Sequence, residues 1–145
     1  LFWDTIVVKY CIFFWGVRLR ILVVDDSDEM RLIQKSILVE LNACTDEARH
    51  GQEALTLLEK DPPFDLIILD IDMPEMGGVE TLIRIKENEA TKSIPVLMCS
   101  TACNKEIVFE TIRRGAKGYI RKPFTTDSFV RRVESVLAEG EGAGS

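Results

Sequence analysis

Histidine occurs once and cysteine only four times in the 145 residues. Cys11, Cys44, Cys99 and Cys103 form no CxxC pair, so the ligand spacings of a structural zinc site are missing. Cys99 and Cys103 stand close enough to share a metal, but the near-absence of histidine sets that idea aside. The thiols are expected to be reduced, as in a cytoplasmic protein. Positive charge is also short. Eighteen Lys and Arg against 24 Asp and Glu leave a net charge of −6, which argues against direct binding along a nucleic-acid backbone. No apolar run reaches the ~20 residues of a spanning helix; residues 1–17 come nearest, and Asp4 and Lys9 interrupt them. A membrane partner is therefore not expected. An apolar fraction of 46% with 29% charged residues excludes disorder and fits a globular chain. The length suits one domain with its own core and no covalent staple.

What is there divides into three parts. Residues 1–17, LFWDTIVVKYCIFFWGV, are set apart as an apolar leader of open nature: a non-native leader, a docking segment or a membrane anchor. Residues 18–138 carry a regular pattern and form the domain. Residues 139–145, EGEGAGS, are small and Gly-rich, which predicts a flexible tail.

Within the domain, short apolar runs end in polar residues. Arg20–Val24 ends in Asp25-Asp26, Leu66–Leu69 in Asp70, Pro95–Cys99 in Ser100, and Gly118–Ile120 in Arg121-Lys122-Pro123. Ala43–Ala48 is a weaker fifth run. Such runs predict strands buried on both faces. The intervals have helical spacing: Met30, Ile33, Ile37 and Leu41; Ala54, Leu57 and Leu58; Val79, Leu82 and Ile83; Ile107, Val108, Thr111 and Ile112; Phe129, Val133, Val136 and Leu137. Ser27 and Asp28 are placed to cap the first helix and load its first turn with negative charge. Five alternations of strand and helix predict an α/β fold, (βα)5, with a doubly wound parallel sheet.

In such sheets, functional groups collect at the carboxyl ends of the strands. Here those ends carry Asp25, Asp26, Asp70, Ser100 and Lys122. Converging carboxylates repel unless a cation sits among them, and oxygen ligands suit Mg²⁺. Lys122 offers a mobile positive charge and Ser100 a hydroxyl, both suited to phosphoryl oxygens. A carboxylate beside them is a competent nucleophile towards phosphorus. Each residue alone has an ordinary reading as a cap or a loop, and the set occurring together is what carries the inference.

Val23-Val-Asp-Asp-Ser27, Leu69-Asp-Ile-Asp-Met-Pro-Glu-Met-Gly-Gly78, Met98-Cys-Ser-Thr101 and Tyr119-Ile-Arg-Lys-Pro-Phe124 resemble the receiver domain of two-component response regulators, and the single-domain chemotaxis type in particular. The likeness covers about residues 19–138. It implies the flavodoxin-like strand order 2-1-3-4-5, and it implies roles. Asp70 matches the phosphoryl acceptor, with Ser100 and Lys122 the groups that bind the phosphoryl oxygens. Asp26 and Asp70 match direct Mg²⁺ ligands, Asp25 a ligand through water, and the Asp72 backbone carbonyl a further ligand. Ser100 and Tyr119 match the switch pair, and a cis peptide is common before the residue matching Pro123. The implied partners are a sensor histidine kinase or phosphotransfer protein, and a target protein on the face made by the fourth helix, fifth strand and fifth helix. That face carries Arg113, Arg114, Lys117, Arg121, Arg131 and Arg132. Asp72 adds a further acid to the loop after the acceptor, and Ala102 lacks a polar side chain. Both sit where this family sets acyl-phosphate lifetime, and no strong acceleration of hydrolysis is expected.

A rival reading exists. Asp70-Ile-Asp72 also resembles the nucleophile motif of haloacid-dehalogenase-type phosphohydrolases. That family places further metal-binding acids after its lysine, and beyond Lys122 there are only Asp127, Glu134, Glu139 and Glu141.

Overall fold

The structure is a computed structural model that describes residues 18–60, 63–102 and 104–142. The leader, residues 1–17, and Cys103 lie outside the described residues. The elements in chain order are β1 (Arg20–Val24), α1 (Asp28–Leu38) with a 3₁₀ turn (Val39–Leu41), β2 (Cys44–Ala48), α2 (Gly51–Lys60), β3 (Leu66–Leu69), α3 (Gly78–Glu87), β4 (Val96–Ser100), α4 (Lys105–Arg113), β5 (Gly118–Arg121) and α5 (Thr126–Gly142). The five strands form one sheet in the order β2-β1-β3-β4-β5, and every neighbouring pair is parallel.

Successive side chains of a strand point to opposite faces, so an unbroken apolar run fills two cores at once. On one face, Ile21, Val23, Leu66, Ile68 and Leu97 pack with Ile37 and Leu38 of α1 and with Phe129, Val133 and Val136 of α5. On the other, Leu22, Val24, Ile67, Leu69, Val96 and Met98 pack with Ala54 and Leu58 of α2 and with Leu82 and Ile85 of α3. β2, the weakest run, lies at the sheet edge, where Cys-Thr-Asp-Glu needs burial on neither side. Ser27 caps α1, accepting from the Met30 amide at 3.2 Å.

Three helices turn otherwise than their apolar spacing predicts. In α1 the inward residues are Arg31, Gln34, Ile37 and Leu38, while Ile33 is exposed. The Arg31 guanidinium reaches inward to the Asp25 carbonyl and sideways to Glu47 of the edge strand, and these contacts turn its side of the helix to the sheet. In α3 the buried set is Gly78, Thr81, Leu82 and Ile85, with Val79 and Ile83 at its margin. In α4 only Thr111 is buried, and Ile112 faces outward beside Phe109. α5 continues to Gly142, past Glu139, where the composition predicts a tail.

Gly78 marks a close approach. Its amide donates to the Ile71 carbonyl at 2.8 Å, and a Cβ built on it would overlap the Asp70 carbonyl oxygen. This lets the start of α3 pack directly under the acidic loop that follows β3.

Candidate functional site

Because all strands run the same way, their carboxyl ends meet at one rim. β1 delivers Asp25 and Asp26, β3 delivers Asp70, β4 ends in Ser100, and Lys122 follows β5 directly. Ligand oxygens of Asp25, Asp26 and Asp70 lie within 4.8 Å of one another. Asp25 and Asp70 are buried, and Asp26 is exposed.

Lys122 reaches into this group from the side. Its Nζ donates to Asp25 Oδ2 at 2.5 Å and lies 3.5 Å from Asp70 Oδ1. The Lys122 amide donates to the Ser100 carbonyl at 2.9 Å, and the Lys122–Pro123 peptide is cis. Asp25 is fixed further by the Ser27 amide, which donates to its Oδ1 at 2.9 Å. Both carboxylate oxygens of Asp25 therefore already have donors, whereas Asp26 stands free of this pair of contacts. Burial pushes the Asp70 carboxyl up to about 6; Lys122 and the Asp72 amide oppose the rise, and Asp25 and Asp26 add to it. Burial also works on Lys122, but its bond to Asp25 and the charge of Asp70 outweigh that and hold its pKa above the usual lysine value.

Ser100 is fully buried. Its Oγ donates to Asp72 Oδ2 at 3.4 Å and accepts from the Ala102 amide at 3.1 Å. Tyr119, on β5, donates from its hydroxyl to the Ala102 carbonyl and is half-buried. The rim thus links Asp72, Ser100, Ala102 and Tyr119 in one chain of contacts. Sequence reasoning passed over Arg31, Gln34 and Glu47, which support the rim from behind. The one signal for Arg31 was its position four residues after the Ser27 cap, in the turn where a side chain can fold back on the strand end.

The donor set fits a hard divalent cation: three carboxylates whose oxygens lie within 4.8 Å of one another, two of them buried. Asp127 and Glu134, the described acids just beyond Lys122, do not belong to this cluster. Neither the geometry nor the relatives support the phosphohydrolase reading.

Comparison with known proteins places the fold in a family. The model of the response regulator receiver domain matches residues 21–134. A chemotaxis protein CheY homolog of Campylobacter jejuni is 37% identical over 128 residues, covering 88% of this chain and 98% of that protein. Among solved structures, Vibrio cholerae CheY4 superposes with a TM-score of 0.78 at 31% identity, covering 83% of this chain and 99% of that one. A CheY-like receiver domain from Methanospirillum hungatei gives 0.80 at 26% identity, covering 88% and 99%. Among the described residues, no helix is long and apolar enough to cross a membrane. The family match runs from the second residue of β1 into α5 and takes in all five strands' carboxyl ends, so this chain belongs to the response regulator receiver domains, the phosphoryl-accepting modules of two-component signalling.

Proposed function

We propose that Asp70 is the residue that takes the phosphoryl group, and that the chain catalyses this transfer on itself. The observation that carries the reading is the meeting of Asp25, Asp26 and Asp70 with the ammonium of Lys122 in a buried rim. A carboxylate oxygen of Asp70 attacks phosphorus, the bond to the donor's leaving atom breaks, and that atom departs with its electron pair. Lys122 and the Ser100 hydroxyl hold phosphoryl oxygens. Asp26 and Asp70, with Asp25 through water and the Asp72 carbonyl, would hold Mg²⁺, which neutralises charge between acceptor and phosphoryl group.

The donor is a phosphohistidine on a sensor kinase or phosphotransfer protein, met in the cytoplasm. To reach the phosphoryl group, the Ser100 hydroxyl must leave Asp72, and this loosens the Ala102 loop to which Tyr119 is tied. Tyr119 then moves, and the face of α4, β5 and α5 carries the signal to a target protein. On that face all six basic residues are exposed, with Arg113 and Arg114 both paired to Glu110. Ala102 carries no polar side chain to hold an attacking water, which favours a long-lived acyl phosphate over rapid hydrolysis.

Incubation with acetyl phosphate and Mg²⁺ is expected to add one phosphoryl mass to the intact chain. Chelation or Asp70→Asn should abolish the addition. Equal labelling of Asp70→Asn would overturn the assignment.

A further inference from the structure

Among the described residues, Arg31 is the one buried arginine, 5% exposed. A guanidinium withdrawn from water is tolerated only when its donors are matched. On the two sides facing outward the matches are anions. Nε donates to Glu47 Oε1 at 2.9 Å, and Nη2 pairs with Asp28. The third match is of a different kind: Nη1 donates to the Asp25 backbone carbonyl at 2.7 Å.

That contact has geometric leverage. The peptide between Asp25 and Asp26 is planar, so holding its oxygen fixes the plane and the direction in which Asp26 leaves it. The Asp25 amide is already held by the Ala48 carbonyl at 3.1 Å, and its carboxylate by Ser27 and Lys122. Arg31 supplies the restraint on the carbonyl. Arg31 itself is anchored on the edge strand: Glu47 in β2 receives it, and Lys35 binds the other oxygen of the same carboxylate. The cluster of Arg31 and Lys35 with Glu47 and Asp28 sums to no net charge.

We propose that Arg31 is a positioning residue for the metal-binding acids: anchored by Glu47, it clamps the Asp25 carbonyl and sets the peptide that aims Asp26 at the shared site. The proposal rests on the reading of Asp25, Asp26 and Asp70 as a Mg²⁺ site. Its structural half, the clamp on the β1–α1 loop, stands without metal.

The test uses the full chain and the variants Arg31→Met, Glu47→Gln and Asp28→Asn. Two quantities are read: Mg²⁺ affinity by calorimetry, and hydrogen exchange of the Ser27 amide by NMR in metal-free protein, with the Ile68 amide in β3 as internal reference. Arg31→Met is expected to weaken Mg²⁺ about tenfold, the scale typical when a partner of a metal ligand is lost. Ser27 should exchange faster while Ile68 keeps its native rate. Glu47→Gln should do the same to a smaller degree, and Asp28→Asn should leave affinity unchanged because Asp28 is 90% exposed. A merely structural role would speed exchange at both amides and leave the affinity of the folded fraction intact. Native affinity with native Ser27 exchange in folded Arg31→Met overturns the proposal, and if that variant does not fold, the same result in Glu47→Gln does so. A native chain that binds no Mg²⁺ defeats the site reading instead, and the Ser27 exchange still decides the clamp.

Discussion

Helices α1 and α5 lie on the same face of the sheet and close the same core, yet they are built on different rules. The inner surface of α5 is apolar throughout: Phe129, Val133, Val136 and Leu137 are all buried. The inner surface of α1 begins with a guanidinium and an amide, Arg31 and Gln34, before Ile37 and Leu38 complete it. Meanwhile Leu32, next to Arg31, is 65% exposed. The difference follows position. α5 seals sheet surface by area alone, whereas the first turns of α1 lie behind the acids and reach them. Arg31 bonds to the Asp25 carbonyl, and Gln34 Nε2 lies 3.6 Å from Cys99 Sγ, one residue before Ser100. One helix supplies stability, and the other gives some of it up to order the rim.

The strongest test of that contrast is Phe129→Ala. Phe129 is fully buried and stacks near Phe124, with ring centroids 4.8 Å apart. Its loss should cost about 3–5 kcal/mol in denaturant unfolding. A cost under about 1 kcal/mol would show that α5 does not carry the core.

At the rim the sign should reverse. The folded state holds the Asp70 proton up to about 6 against an ordinary value of 3.8, so deprotonation works against folding. In metal-free protein the stability of the native chain should therefore fall, relative to Asp70→Asn, as pH rises from about 4 to about 6. Above that window the variant should be ahead by about 2–3 kcal/mol, and Mg²⁺ should narrow the gap. Parallel stabilities across the window would contradict a strained carboxylate.

The smallest effect concerns α1. Gln34 Oε1 is buried without a hydrogen-bond partner, while burial pushes the Cys99 thiol beside it up to about 12. Gln34→Met keeps the volume and removes the orphaned oxygen, and should gain about 1 kcal/mol. A clear loss would mean that the amide has a structural task the apolar face of α5 does not need.

The legibility of the sequence follows the same contrast. The strands were readable because a short, unbroken apolar run ending in Asp, Ser or Lys suits few elements besides a strand buried on both faces, and their ends placed the rim residues together. α5 was readable because its apolar residues face inward, as spacing assumes. α1 was misread because its spacing pointed to Met30 and Ile33, whereas Arg31 turns inward to the Asp25 carbonyl and brings Gln34 in on the same side. No periodicity rule credits an arginine with an inner position, since its place depends on Glu47 in a strand sixteen residues away. Ile112 misled in the same way: of the four residues at the period of α4, Thr111 alone is buried and Ile112 is exposed. The contacts of Ser100 with Asp72 and of Tyr119 with Ala102 join strand residues to loops distant in sequence and were likewise invisible.

The start of α3 under the Asp70 carbonyl has a consequence for inheritance. Every residue other than glycine carries a Cβ, and at position 78 that atom would overlap backbone, which cannot swing aside as a side chain can. Each coding change of a glycine codon therefore brings the same defect, with no milder substitute among the nineteen alternatives. Exposed positions such as Leu32 or Lys117 are free to drift as partners change. A lineage of this fold can rewrite what it talks to by small steps, but it must carry this one codon family forward intact.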